Sequence, residues 1–129
     1  GLIDAPIGRD PADRQKMKVT DKASREARTH FHVLKRFKNS TYVECRLDTG
    51  RTHQIRAQFA HLGHPVLGDG NYGRNKVNMH FETKDGKKVK YQQLFSCQIM
   101  FGKVPKNNMH VDVSGKTFKI GPDYNVRLK

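Results

Sequence analysis

The sequence predicts an α+β fold, a mainly antiparallel mixed sheet with one clear helix, and three observations carry that expectation. Residues 29–38 and 41–47 alternate apolar and polar side chains around a short Asn39-Ser40 turn, which reads as a hairpin. Ile55, Phe59 and Leu62 recur at offsets of four and three, a helical period, and Gly63 stands where a left-handed residue would end the helix. Further short apolar runs at 89–101, 109–113 and 117–120 are separated by turn signals, so the strands outnumber the helix.

Taken in order, residues 1–17 hold two prolines and few apolar side chains, and predict an extended, partly irregular entry. Residues 18–28 are rich in charge and read as a loop ending in a strand start. In the first strand of the hairpin, Phe31 and Val33 alternate and the pattern slips at Leu34 before Phe37, which predicts one irregularity. Asp48, Thr49 and Gly50 then break the second strand with turn chemistry, and Thr52 is the expected N-cap of the helix. His53, Gln54 and Arg56 fall in its first turn and Arg51 just before it. Two guanidiniums, an imidazole and an amide thus meet free backbone donors at one corner, an arrangement suited to an anion. The bland alternative is a solvated helix start. Beyond Gly73 the chain is polar and lysine-rich as far as the Asp85-Gly86 turn, and it closes on a basic tail at 124–129.

Length and charge bound the function. At 129 residues the chain is one domain, and it opens on Gly with no initiator Met, which reads as a piece of something longer. Twenty-five Lys and Arg against 12 Asp and Glu give a formal charge of +13. RNA or DNA is the default partner of such an excess, because each neutralised phosphate releases condensed counterions. No apolar run is long enough to span a bilayer and no basic amphipathic helix is found, so a membrane role is not expected. Cys45 and Cys97 lie in expected strands and read as buried thiols of a reducing, cytoplasmic compartment. His30, His32, His53, His61 and His64 lack the strict spacing of a zinc site, and no metal is expected.

The stretch from Leu47 to Gly73, LDTGRTHQIRAQFAHLGHPVLGDGNYG, resembles motif III of the RluA-type RNA pseudouridine synthases. The flanks extend the likeness: GLIDAPIGRDPADRQKM at 1–17, Ala27, Thr29 and residues 31–37 are similar to the segments before this motif, and YQQLFSCQIMF at 91–101 to the strand after it. The resemblance implies that the chain, residues 1–129, is the C-terminal portion of a pseudouridine synthase catalytic domain. Such enzymes break the N-glycosidic bond of a uridine in ribosomal or transfer RNA, turn the base and rejoin it through carbon, without cofactor or metal. Their nucleophilic aspartate belongs to an upstream HRLD-type segment that is not among these residues, so the fragment alone is expected to be inactive. Asp48 and Asp69 match the strand end and the GD turn of the motif instead.

By the same resemblance Arg56 matches the arginine of HQxR that pairs with the catalytic aspartate. An opposite charge within roughly 4–6 Å keeps a carboxylate ionised, and a guanidinium does so with two donors at once. Arg51, His53 and Gln54, with Arg9 of the PIGR turn and Arg74, are the expected RNA-binding residues. Asp69 is expected to satisfy a turn. Gln58, where relatives often have His, and the triplet Leu94-Phe95-Ser96, where they often have LHA, are departures. A non-catalytic RNA-binding module is the alternative from another class, and a metal-dependent hydrolase built on the histidines a third. A homodimer covering a bare sheet edge is a further expectation.

Overall fold

A computed structural model describes residues 1–96 and the backbone of three further strands, 98–100, 117–119 and 126–128. The strand expected at 109–113, Cys97 and most of the basic tail lie outside the described residues. The centre of the fold is the long strand β5 (Arg28–Arg36), flanked on one side by β1 (Leu2–Asp4) and on the other by β6 (Thr41–Leu47), all antiparallel. Ile3 sits opposite Thr29, and Phe31 opposite Cys45. The register shifts between Val33 and Lys35, at the expected slip. Val33 and Leu34 are consecutive and a strand alternates faces, so one of them must turn outward; Leu34 is the exposed one.

Residues 18–28 are more ordered than expected. β2 (Ile7–Arg9) pairs antiparallel with β3 (Met17–Val19) on one edge and β4 (Ser24–Arg25) on the other, a small second sheet. Strands of two or three residues are too short to show a period in sequence. Gly8 is what lets the chain fold back so closely, since a Cβ there would meet the Ala23 carbonyl oxygen at 2.9 Å.

The helix α1 (Gln54–His61) begins two residues later than Thr52. Its N-cap is His53, held left-handed at φ 52°, and no side chain caps it. The end follows expectation: Gly63, at φ 82°, donates to the Ala60 carbonyl and His64 to that of Phe59, a paired closure of the last turn.

The buried stripe of α1 differs from the apolar one. Gln54, Ala57 and Gln58 face inward, whereas Ile55 and Phe59 are half-buried and Leu62 is exposed. Phe59 meets Phe31 edge-on at 5.8 Å. The small apolar core joins Ile7, Ala27 and Ala57, with Met17 and Tyr72 packed against it. The helix thus lands on strand ends whose backbone groups need partners, and amides serve there better than hydrocarbon.

Beyond α1 a glycine-rich turn leads to the four-residue α2 (Asn75–Asn78) and β7 (Phe81–Thr83), which turns at Asp85-Gly86 as expected. Residues 89–96, expected as part of a long strand, are not one. Gln93 donates to Leu67 O, and Leu94 and Phe95 stand exposed, so the apolar run does not mark a buried edge. Among the described residues of that run β8 (Gln98–Met100) is strand, paired with β9 (Thr117–Lys119), while β10 (Val126–Leu128) pairs with β7. Among the described residues no helix is long and apolar enough to cross a membrane.

Candidate functional site

The corner between β6 and α1 is built around two glutamines. Gln54 accepts from Arg51 N (3.0 Å) and the Thr49 hydroxyl (2.8 Å) through Oε1, and donates to Arg28 O (3.0 Å) and Thr29 Oγ1 (2.9 Å) through Nε2. Gln58, one turn on, accepts from the Thr29 hydroxyl at 2.6 Å and donates to Ala5 O (3.0 Å) and Ala27 O (2.9 Å). Thr29, Gln54 and Gln58 are each at most 3% exposed. Every polar atom of both amides has a protein partner, which is the condition for burying them cheaply. Gln54, expected as an RNA-binding residue, is buried with both amide atoms bonded within the protein. It is the brace that holds the corner, tying Arg51 N before the helix to the ends of the hairpin strands. Gln58, the departure noted in the sequence, is fully buried.

On another side of the same helix Arg56 meets Asp69. Nε donates to Oδ2 at 2.7 Å and Nη2 to Oδ1 at 3.0 Å, a two-pronged ion pair. The carboxylate is wholly buried and the guanidinium side chain only 11% exposed. Asp69 does close its turn, accepting from Asn71 N and Tyr72 N at 3.0 Å each, but it does so while gripping the arginine. Burial alone would raise the Asp69 carboxyl; the Arg56 fork and the two backbone donors outweigh it and hold the group below its ordinary range. Asp69 in turn secures the positive charge of Arg56. Two of five N–H groups are used, so the guanidinium keeps donors for another acceptor.

Tyr72 completes the cluster, and the sequence reading passed over it. The Arg56 guanidinium carbon lies 4.9 Å from its ring centre and the Lys16 ammonium 5.9 Å. Its hydroxyl accepts from Met17 N at 2.8 Å and pairs with His53 Nδ1 at 2.9 Å. The signal available was its place three residues after Asp69, just before Gly73. A Cβ at Gly73 would collide with the Asp69 carbonyl oxygen, so the turn that presents both residues requires glycine there.

The remaining expected contacts divide. His53 belongs to this cluster, its imidazole pushed toward the neutral form by burial and then by the Arg56 and Arg9 charges, so it offers a hydrogen bond rather than a cation. Arg9 is exposed, with Nη1 donating to Arg14 O at 2.7 Å. Arg51 turns to the strand side, donating from Nε to Glu26 O at 2.7 Å. There Arg28 and His30 surround Asp48, whose carboxyl is lowered chiefly by the 2.7 Å bond to His30. Arg74 is exposed at the start of α2 and takes no part in the Arg56 cluster. Cys45 is a free, half-buried thiol, pushed up to about 11 by burial and by Glu44. Among the described residues no group of three His, Cys, Asp or Glu could hold a metal ion.

Residues 1–61 match the family described as RNA pseudouridylate synthase. The chain is 58% identical over 77 residues to the RNA pseudouridine synthase YlyB of Bacillus subtilis, covering 60% of this chain and 25% of that protein. To the ribosomal large subunit pseudouridine synthase D of Xylella fastidiosa it is 53% identical over 73 residues, 57% of this chain and 22% of the relative. Among solved structures, human RNA pseudouridylate synthase domain containing 1 superposes with a TM-score of 0.53 at 29% identity, over 59% of this chain and 35% of that one. The chain spans about a quarter of the length of the curated relatives it matches.

Proposed function

We propose that this chain, which carries RNA pseudouridylate synthase sequence over residues 1–61, is the arginine-bearing C-terminal part of an enzyme that isomerises uridine to pseudouridine in structured RNA. The observation that carries the reading is the Arg56–Asp69 pair: a guanidinium held from one edge, nearly buried, with donors left over. A bidentate carboxylate engages two of a guanidinium's five N–H groups and leaves three over. Here the spare donors belong to a guanidinium beside Tyr72 and His53, at a corner that falls within the matched residues 1–61.

In this reading the nucleophilic aspartate comes from a segment outside the 129 residues and takes the free side of Arg56. The guanidinium keeps it ionised and therefore nucleophilic. Asp69 is a positioning residue, because it sets the angle of the fork. Arg9 and Arg74 at the exposed rim, and the half-buried Arg51 on the strand side, bind RNA phosphate. No cofactor or metal is invoked. Ribosomal RNA is the favoured substrate, since relatives are named for the large ribosomal subunit, and the cytoplasm the favoured place. The outer edge of β6 is where the rest of a longer chain, or a second copy of this one, would add a strand.

The test is release of tritium from RNA labelled at uracil C5. The full-length parent should turn over and the 129-residue chain should not. Turnover by the chain alone would end the reading. An inactive parent that still bound RNA would favour the non-catalytic module.

A further inference from the structure

Beside the Arg56 cluster an open groove of about 320 Å³ runs between β3, the second half of α1 and the Asn71-Tyr72 turn. Its volume is at the small end of ligand sites, which span roughly 300–1,000 Å³. The groove exists because α1 carries alanine at 57 and 60, two positions on one helical face; the flanks of Met17 and Val19 line the opposite side. These four side chains make up the apolar part of the lining. Its polar lining is Lys16 and Lys18 on the strand side, His61 on the helix and Asn71 on the turn. Asp10 is the one acidic wall residue, and its Oδ1 is engaged by Ala12 N at 2.9 Å.

We propose that this groove seats one unpaired nucleotide of the RNA, its base laid on the Ala57, Ala60 and Met17 lining and its phosphates at Lys16 and Lys18. The inference rests on RNA being the partner and adds where a base is held. A nucleobase has two apolar faces and a polar edge, which matches an apolar lining beside an amide and an imidazole. The phosphates either side of that base match the two lysines, on a chain whose net charge is +13. An acidic peptide would find the lysines but bring no flat face for the alanines. Tyr72, at the inner end, is already covered by Arg56 and Lys16, so the base lies beside that ring rather than displacing either cation.

The 129-residue chain suffices for the test. Amide shifts are followed by NMR on titration with pentauridylate and, at matched ionic strength, with tripolyphosphate. Pentauridylate should move Ala57, Ala60 and Asn71 as well as the lysines, and tripolyphosphate the lysines alone. Ala60→Leu, which fills the groove, should weaken pentauridylate at least about fivefold, the low end of what losing one stacked base costs. It should leave tripolyphosphate within about twofold. Lys18→Ala should weaken both ligands, since it removes one phosphate contact. Equal pentauridylate affinity for wild type and a folded Ala60→Leu overturns the groove while leaving RNA as partner. So do shifts confined to the lysines with both ligands, a result that stands even if the leucine variant fails to fold. If pentauridylate and longer RNA do not bind at all, the partner itself is wrong and the groove falls with it.

Discussion

Two sides of one short helix have opposite designs. Gln54 and Gln58 face strand ends and are neutral, buried and saturated, each amide atom matched to a backbone carbonyl, a backbone N–H or a threonine hydroxyl. Arg56, between them in sequence, is charged, nearly buried and unsaturated, held by Asp69 from one edge. Saturation suits a brace, because every group that could bind elsewhere is committed. Spare donors suit a site, because something else can still be bound. The same eight residues therefore fix the corner and arm it.

The sharpest way to break the contrast is Arg56→Ala in the full-length enzyme. If the spare donors serve the nucleophile, turnover at saturating RNA should fall about 10²- to 10³-fold, the usual loss when a preorganised charge stabiliser is removed. Unlike a surface arginine, its truncation also strands a wholly buried carboxylate. The melting temperature should drop as well, by an amount matching about 3–5 kcal/mol for one member of a buried pair. Arg56→Lys should restore much of the stability and little of the rate, since a point charge cannot hold two acceptors in register. Single-turnover rates within a few-fold of wild type would make the arginine structural only.

The brace should behave conversely. Gln58→Leu leaves the Ala5 and Ala27 carbonyls and the Thr29 hydroxyl short of a partner, and should cost about 2–4 kcal/mol in chemical denaturation. RNA affinity, measured where the variant is still folded, should stay within about twofold, because no charge is lost. A stable Gln58→Leu would show the amides to be replaceable packing.

Acid tests the Arg56 side alone. The folded Asp69 carboxyl is held below its ordinary value of about 4. Its contribution to stability is therefore complete above that value and is lost as pH falls through the lowered folded-state pKa. Asp69→Asn should flatten this acid limb of a denaturation series and leave the neutral limb parallel to wild type. An unchanged limb would move the acid sensitivity to another carboxylate, Asp48 first.

The smallest effect concerns His53. At φ 52° a glycine avoids the clash that any L side chain meets, whereas alanine keeps the clash and loses the Tyr72 bond. His53→Gly should be more stable than His53→Ala by about 0.5–1 kcal/mol. Equal stability would mean that the corner adjusts to the substitution.

What the sequence made legible was whatever repeats. The β5–β6 hairpin and its slip at Leu34 followed from period two, and the closure at Gly63 from the need for a left-handed residue. The inward side of α1 was hidden, because two glutamines are buried only where strand ends present unpaired backbone groups, a fact of tertiary placement. Apolar side chains at 55, 59 and 62 pointed to the wrong stripe for the same reason. Leu94 and Phe95 looked like strand and are exposed loop. Asp69 and Arg56 were each visible in sequence, one as a turn residue and one as a charge, but their pairing across thirteen positions was not. Tyr72, a lone aromatic between glycines, has no period to betray it.

The reach of Gln58 also orders events in time. Its amide ties together residues 5, 27, 29 and 58, so the Ala5 carbonyl and the second lone pair of Ala27 O meet their partner only when the helix has been made. On a ribosome adding about 5–20 residues per second, the gap between residues 29 and 58 amounts to about 1.5–6 s. During that interval the Ala5 carbonyl and one lone pair of Ala27 O stand open to any passing amide. The nascent chain is thus most exposed to wrong pairing just before the helix emerges, and a translational pause placed after that point, not before it, would protect the fold.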